Sequence, residues 1–330
     1  MMRNAQIVSS GMFVPERVVP NSYFNELLGE DVDTWLRENL TIKERRWCNE
    51  NQSTADLCVE AAQVILENAK VKTDELDLLI IATDTPEYIS PSTASVVQFR
   101  IGAIKAGTFD VNTACAGFVT ALDIASKYIR SDKKYNKVLV IGAYAMSKYL
   151  NLADKKTVTL FADGAAGVLL TSTENELEGF LTSKLYTEGQ YCDWMGIYAG
   201  GTHMPVTQKV LDNKDHLLKF IKKFPKETNP ITWTRMIKEA CDEINIKPKD
   251  INHYFITQIN INSIWETLDN LAVDRSKGHT IMEYFGYTGS ACIPMAFDDA
   301  NRKGLIKKGD LILFIGSGGG LAFALSIFKM

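Results

Sequence analysis

The chain has 330 residues, of which 46% are hydrophobic and 23% are charged, and its formal net charge is −4 at pH 7. This composition is typical of a globular protein, which excludes disordered and fibrous classes, and the small net charge gives no reason to expect nucleic acid or an anionic membrane as a partner. The apolar runs have the length of strands, short of the roughly 18 residues that a membrane span needs. The six cysteines form no CxxC pair, so the sequence predicts no metal site and no disulfide framework. The first residues hold no long apolar stretch, so we expect a cytoplasmic protein with reduced thiols.

The first half of the chain reads as alternating helices and strands. A helical pattern at 54–69 leads into a short apolar strand at 76–82. A second strand then runs into a helical stretch within FDVNTACAGFVTALDIA (109–125), and a third strand follows within KKYNKVLVIGA (133–143). Strands that alternate with helices predict βαβ units around a buried, mostly parallel sheet.

The second half repeats this order. KTDELDLLIIAT, which begins at residue 72, resembles KPKDINHYFITQ, which begins at residue 247, so the offset is 247 − 72 = 175. At the same offset FDVNTACAGFVTALDIA matches YFGYTGSACIPMAFDDA (284–300), and at 174 the third strand matches KKGDLILFIGS (307–317). Three matches in one order predict a duplication, with halves at 1–174 and 175–330.

A cap insertion is expected at about 180–230, where the second half is irregular. Within it, KDHLLKFIKKFPKE (214–227) places apolar and basic residues at helical spacing. This pattern predicts an amphipathic helix, most simply a solvated one and alternatively a docking surface for an acidic acyl carrier protein.

Cys115 is the candidate nucleophile. A free cysteine between alanines is often only a small buried hydrophobe. Here, however, the thiol follows a strand and stands at the expected start of a helix, where the helix dipole and free N–H groups lower a thiol pKa. Its partner in the repeat, GYTGSA (286–291), is also a small-residue loop. Both loops should meet in one cleft at the strand ends, where α/β proteins place their sites.

Five stretches together resemble the thiolase-like condensing enzymes, and most closely the β-ketoacyl-ACP synthase III branch. They are WLRENLTIKERRW (35–47), ACAGF (114–118), FADGAAGVLL (161–170), GYTGSACIPMAFDDA (286–300) and GSGGGLAFALSIF (316–328). The resemblance covers essentially the whole chain. It implies a thiolase-like five-layered α/β/α/β/α fold of two pseudo-symmetric halves. It also implies a cysteine that takes an acyl group from acyl-CoA or acyl-ACP, with no permanently bound cofactor.

The resemblance breaks at two catalytic positions. The family's histidine opens a His-Gln-Ala-Asn motif, and Thr257 stands in its place here. The family's asparagine lies in a Gly-Asn-Thr segment, and Tyr287 replaces it. A threonine hydroxyl cannot act as a base at neutral pH, and the loss of donors to a developing enolate typically costs about a hundredfold in rate or more. These two replacements argue against decarboxylative condensation by this chain alone.

Other family positions are retained. The family's oxyanion hole uses the N–H of the cysteine and a glycine N–H in the final Gly-rich turn, which matches Gly319. Trp35 and Asn260 match positions that contact the CoA or phosphopantetheine arm, and Lys155 falls near a basic position that meets the CoA phosphate. For each of these three residues, ordinary packing is the alternative reading.

Three functions remain open from the sequence. The first is an acyltransferase in which Cys115 accepts an acyl group from CoA or a carrier protein and passes it to an acceptor, in fatty-acid-like, polyketide or specialised-metabolite biosynthesis. The second is a partner subunit that pairs with a complete ketosynthase homologue in a heterodimer. The third is a condensing ketosynthase in which Tyr287 or the substrate replaces the lost groups. The resemblance also implies a dimer, most simply a homodimer.

Overall fold

The computed structural model describes residues 3–330 as a mixed α/β protein. Within these residues the strands are β1 (Asn4–Phe13), β2 (Val18–Pro20), β3 (Glu44–Arg46), β4 (Leu78–Ala82), β5 (Gly107–Val111), β6 (Lys137–Ala145), β7 (Asp163–Thr173), β8 (Gly179–Thr187), β9 (Met195–Gly196), β10 (Lys219–Phe220), β11 (His253–Ile256), β12 (Leu311–Gly318) and β13 (Ala322–Lys329). The helices are α1 (Asn21–Leu28), α2 (Asp33–Leu40), α3 (Thr54–Ala69), α4 (Thr93–Ile101), α5 (Gly117–Ser131), α6 (Lys155–Val158), α7 (Gln208–Asp212), α8 (Thr228–Glu243), α9 (Ile261–Asn270), α10 (Met282–Phe285) and α11 (Cys292–Arg302).

Two sheets form the centre of the fold, and their strand orders repeat. The first sheet has the order β1-β7-β6-β4-β5, and the second has the order β8-β13-β12-β11. In the first sheet β4 is parallel to β5 and β6, while β7 is antiparallel to both of its neighbours. In the second sheet β11 is parallel to β12, and β13 is antiparallel to both of its neighbours. The second sheet therefore repeats the first without a counterpart of β5, as the repeated sequence predicts.

Strand periodicity explains how the layers stack. Side chains alternate between the two faces of a strand. In β4, Leu79 and Ile81 pack against α3 and α4, while Leu78 and Ile80 face α5 and α11 in the middle of the molecule. In β12, alternate residues likewise face either that middle layer or the outer helices α8 and α9. The result is the expected five-layered α/β/α/β/α arrangement, with α5 and α11 between the sheets.

Local signals explain the helix starts. Helix α3 begins after a capping box, in which the Ser53 hydroxyl accepts the Asp56 N–H and the Asp56 carboxylate accepts the Ser53 N–H. Helix α9 begins after Asn260, whose side-chain oxygen accepts the Asn262 N–H at 3.0 Å. Within residues 3–330, no helix combines the length and apolarity needed to cross a bilayer.

The helix expected at 214–227 is wrong. Helix α7 ends before this stretch and helix α8 begins after it, and the stretch itself contains β10, which pairs with β9. Phe220 and Phe224 turn toward the cavity beside Cys115, and Pro225 has no N–H to continue a helix. The apolar residues of this stretch therefore cover a cavity, and they do not form one face of a helix.

Candidate active site

Cys115 lies in a tight loop between β5 and α5. Ala114 has a φ of 45°, which is uncommon for a residue with a side chain, and its N–H is held by the Asn112 side-chain oxygen at 3.0 Å. Helix α5 begins at Gly117 with Ala116 as its N-cap, so the thiol stands just before the helix and not within its first turn. Strain at a cysteine loop of this kind is typical of a functional position.

The expectation of a lowered thiol pKa was wrong. Only 2% of Cys115 is exposed. Burial raises the pKa of the Cys115 thiol well above its ordinary value, and the nearby Asp84 carboxylate raises it further. A hydrogen bond from Tyr287 acts in the opposite direction but is weaker than burial. In the free protein Cys115 is therefore a neutral thiol that must lose its proton before it can react.

Cys115 opens onto a small cavity of about 80 Å³ that lies beneath the cap. Its walls come from the cap, from the loop after β11 and from the Gly-rich turn after β12. The lining residues are Cys115, Met195, Phe220, Phe224, Pro225, Thr228, Asn229, Ile259, Tyr287, Ser317, Gly318, Gly319 and Leu321. The walls are mainly apolar, so the cavity suits an uncharged, largely hydrocarbon group next to the sulfur.

The Gly-rich turn lies directly against the cysteine loop. A methyl group added to Gly318 would lie 2.4 Å from the Thr113 carbonyl oxygen and 2.6 Å from the Cys115 nitrogen. Gly319 is less crowded, since its nearest atom would be the Met195 carbonyl oxygen at 3.3 Å. The structure thus brings Gly319 and Cys115 to the same cavity.

Tyr287 stands beside the sulfur. It is 1% exposed, and its phenol hydrogen-bonds the Cys115 thiol. Backbone bonds on both sides fix it, because its N–H donates to Leu160 and its carbonyl accepts from Ala162, both at 2.9 Å. Its ring packs against Phe161 at a centroid distance of 5.5 Å. The ring is therefore held in place with its phenol beside the sulfur, where it lowers the pKa of the Cys115 thiol.

Thr257 is fully buried, and it is not among the residues that line the cavity. Its hydroxyl oxygen accepts the Ser317 N–H at 3.0 Å, and its own N–H donates to the Ile315 carbonyl at 3.1 Å. Both bonds attach Thr257, the residue that follows β11, to the last part of β12. The position is thus used to hold the Gly-rich turn in place.

Comparison with known proteins now identifies the family. Residues 109–189 match the family 3-Oxoacyl-[acyl-carrier-protein (ACP)] synthase III, and residues 241–330 match its C-terminal family. The chain is 34% identical to beta-ketoacyl-[acyl-carrier-protein] synthase III of Clostridioides difficile (strain 630), over 100% of this chain and 99% of the relative. The chain belongs to the 3-oxoacyl-ACP synthase III family.

Solved structures of this family have the same fold. The 3-oxoacyl-[acyl-carrier-protein] synthase III from Aquifex aeolicus superposes with a TM-score of 0.89 at 29% identity, covering 99% of this chain and 100% of that one. The enzyme from Thermus thermophilus superposes with a TM-score of 0.86 at 27% identity, covering 98% and 99%. The thiolase-like fold expected from the sequence is therefore confirmed.

Two of the positions that resemble the arm-binding residues of the synthase III family share one cleft. Trp35, on α2, is 55% exposed and lines this cleft together with Lys155, at the start of α6. The Lys155 ammonium lies 3.0 Å from the Glu30 carboxylate, so part of its charge is already balanced. Asn260 lies elsewhere, next to the cavity residue Ile259, and caps α9.

Sequence reasoning missed one group in this synthase III site. Asp84 follows β4 in the stretch TDTPE and acts electrostatically on Cys115. A charged residue directly after a buried parallel strand was the signal that could have found it, because strand ends carry the sites of α/β proteins. Within residues 3–330, no cluster of histidine, cysteine and carboxylate side chains could hold a metal ion.

Proposed function

We propose that this protein is an acyltransferase in which Cys115 accepts an acyl group from a CoA or carrier-protein thioester and passes it to a second nucleophile. The observation that carries this proposal is the cavity itself, in which the Cys115 thiol, the Tyr287 phenol and Gly319 lie around one mainly apolar space. This arrangement supports formation of a thioester at Cys115. The family relatives are named as beta-ketoacyl-ACP synthases, which is consistent with acyl transfer.

The oxyanion hole would consist of the Cys115 and Gly319 N–H groups, as the family resemblance implies. The close packing of Gly318 on the Cys115 loop holds the two backbone segments together. Backbone donors of this kind stabilise the negative charge that develops on a thioester oxygen during attack. The donor's arm would enter past Trp35, with Asn260 near the cavity and Lys155 near the phosphate end.

Decarboxylative condensation is a separate step, and the residues argue against it. An imidazole would have to stand at Thr257, whose hydroxyl is already engaged with the Ser317 N–H. The Tyr287 ring fills space beside the sulfur where the family's asparagine would leave room. We infer that the acceptor is a nucleophile other than a malonyl-derived carbanion, such as an alcohol, an amine or a carrier thiol.

The direct test is acylation of the intact protein. The wild type, Cys115→Ala and Cys292→Ala are incubated with panels of acyl-CoA and acyl-carrier-protein donors, and intact mass is read. Cys292 is a second buried thiol in the middle layer, so its variant is the matched control. We expect an adduct in the wild type and in Cys292→Ala but none in Cys115→Ala. If no donor modifies Cys115, the proposal is wrong.

A parallel assay separates the condensing alternative. Malonyl-ACP is added to the acylated enzyme and release of CO₂ is followed. We expect none above background. Release that disappears in Tyr287→Phe would instead support a ketosynthase in which the phenol replaces the missing groups.

We also propose that the protein forms a dimer through the first sheet. Strand β5 is an edge strand that pairs only with β4 in the described chain. Nearby, Phe99 is 80% exposed and Ile104 is 76% exposed, which is unusual for large apolar side chains. Light scattering of the wild type and of Phe99→Glu tests this, and a dimer in the variant contradicts it. Mixing with a complete homologue tests the heterodimer.

A further inference from the structure

Asp84 lies where the end of β4 meets the start of α5. The Thr83 N–H continues the parallel ladder by donating to the Val111 carbonyl at 3.1 Å. One residue before it, the Ala82 methyl lies 3.2 Å from the place where a Gly117 methyl would be. The first turn of α5, and the Cys115 loop before it, thus pack directly against the strand end that carries Asp84.

The Asp84 carboxylate has an oxygen without a partner. Its Oδ1 is sealed from solvent and makes no hydrogen bond within the described chain. Buried polar atoms nearly always have a partner, so an orphaned carboxylate oxygen calls for a functional explanation. Burial raises the pKa of Asp84 to about 6, which leaves it ionised at pH 7 and close to neutral pH as a proton acceptor.

The negative charge of Asp84 changes the pKa values of the groups around it, and none of these groups carries a positive charge that would balance it. Its carboxylate raises the pKa values of three neighbours, after burial itself: the buried Cys115 and Tyr144 on β6, and the partly buried Tyr149 in the turn after β6. Glu87 adds a second, weaker negative charge near Tyr149. Asp163 likewise acts on Tyr144, more weakly than Asp84. No cation contributes to the pKa of Asp84 itself.

Cys115 therefore has a neutral thiol, and within residues 3–330 the side chains that affect its pKa include one carboxylate and no imidazole. Tyr287 cannot serve as the base, because burial and the nearby Cys115 thiol raise the pKa of its phenol well above its ordinary value. Cys292 is excluded in the same way, since burial raises the pKa of its thiol to about 12. Of the ionisable groups that act on Cys115, only Asp84 is deprotonated at neutral pH.

We propose that Asp84 is the general base of Cys115, an assignment that rests on the proposed acyl transfer. The Cys115 S–H bond breaks and its proton passes to the Asp84 carboxylate, directly or across one water molecule, as the sulfur attacks the donor carbonyl. The new S–C bond forms and the donor C–S bond breaks. The departing thiolate then takes the proton, so Asp84 ends the step ionised. The base thus comes from β4 of the first half, whereas the missing histidine belongs to the second.

Asp84→Asn tests this proposal because a base and a fixed charge predict opposite signs. As a fixed negative charge, Asp84 disfavours the Cys115 thiolate, so its removal would speed alkylation of the thiol. As a base, Asp84 promotes loss of the proton, so its removal slows the reaction. Rates of Cys115 alkylation by iodoacetamide and of acylation by an acyl-CoA are measured by intact mass from pH 5 to 9.

We expect Asp84→Asn to lower both rates at pH 7, acylation by on the order of a hundredfold or more. The variant should also lose the fall in rate that the wild type shows below about pH 6 as Asp84 becomes protonated. Glu87→Gln is the matched control. It lies three residues later in the same loop, and its oxygen can still accept the Ala55 N–H that Glu87 holds at 2.9 Å.

The outcomes separate this proposal from the proposed function. A faster or unchanged alkylation in Asp84→Asn overturns the assignment of a base, whatever the acyl donors do. Slower alkylation with no acylation by any donor supports the base and rejects acyl transfer. A thermal melt of each variant excludes loss of fold as the cause of a slower rate.

Discussion

The hydroxyl oxygen of Thr257, the residue that follows β11, accepts the backbone N–H of Ser317 near the end of β12 at 3.0 Å. Ser317 and Gly318 end β12, Gly319 begins the turn after it, and all three line the cavity of Cys115. The residue that replaces the family's histidine therefore acts on the site through the backbone. Its contribution should be measurable as stability.

Replacing Thr257 with valine keeps the shape of the side chain but removes the acceptor of a buried N–H. We expect unfolding to become easier by about 1–3 kcal/mol, which is the cost of leaving a buried polar group without a partner. Urea denaturation measures this difference. Thr257→Ser, which retains the hydroxyl, should recover most of it, and equal stability of the valine variant and the wild type would contradict the assigned role.

Replacing Tyr287 with phenylalanine removes the phenol and keeps the ring against Phe161. The hydrogen bond from Tyr287 lowers the pKa of Cys115, so its loss should raise that pKa and slow the reaction of the thiol. Hydrogen bonds to charged groups contribute about 1.5–3 kcal/mol, which corresponds to roughly a tenfold to hundredfold lower rate. Alkylation kinetics at fixed pH give the answer, and an unchanged rate would remove Tyr287 from the reacting groups.

The fold could be predicted from the sequence because its signals are periodic and repeated. At an offset of 175 residues, β8 is the counterpart of β1 in the repeat and β11 is the counterpart of β4. Each apolar run also has the length of a strand. Successive side chains of β4 and β12 alternate between the two faces of their sheets, and this alternation determines how helices and sheets are layered. No comparable sequence pattern predicts how deeply a single side chain is buried. For this reason the pKa of Cys115 is raised, whereas the sequence led us to expect a lowered pKa.

The position of Asp84 after a buried strand is a signal in the sequence, but its lack of a hydrogen-bond partner could not be predicted, for a related reason. A single acidic residue in a turn has no period, and its lack of partners depends on which side chains the fold brings near it. The helix predicted at 214–227 was wrong for the same reason. Phe220 and Phe224 line the cavity, and this tertiary packing outweighs the helical spacing of the local sequence. Local sequence predicts elements well, and tertiary packing decides their exceptions.

The two neighbouring glycines of the final turn should differ sharply when each is changed to alanine. A methyl at Gly318 would meet backbone atoms of Thr113 and Cys115 at 2.4 and 2.6 Å, distances that only a shift of the backbone relieves. A methyl at Gly319 would lie 3.3 Å from the nearest atom. We expect Gly318→Ala to lower the melting temperature and abolish acylation of Cys115, and Gly319→Ala to retain the fold. Similar melting temperatures for both would contradict the close approach.

Asp84→Asn should stabilise the protein, and the gain should depend on pH. Burial raises the pKa of Asp84 from 3.8 to about 6, so between these values the folded protein binds more protons than the unfolded chain and loses stability as pH rises. Above pH 6 the penalty is complete, and 2.2 pKa units correspond to about 3 kcal/mol.

The asparagine variant carries no such charge, so its advantage should be about 3 kcal/mol at pH 7 and should vanish toward pH 4. Asp163→Asn is the matched control, because this buried carboxylate accepts the N–H groups of Cys48 and Ser147 at 2.7 and 2.8 Å, and an amide cannot serve both equally well. That variant should be destabilised. Urea unfolding across pH 4–8 measures both, and an Asp84→Asn gain that does not change with pH would show that the carboxylate is not ionised at a cost in the folded protein.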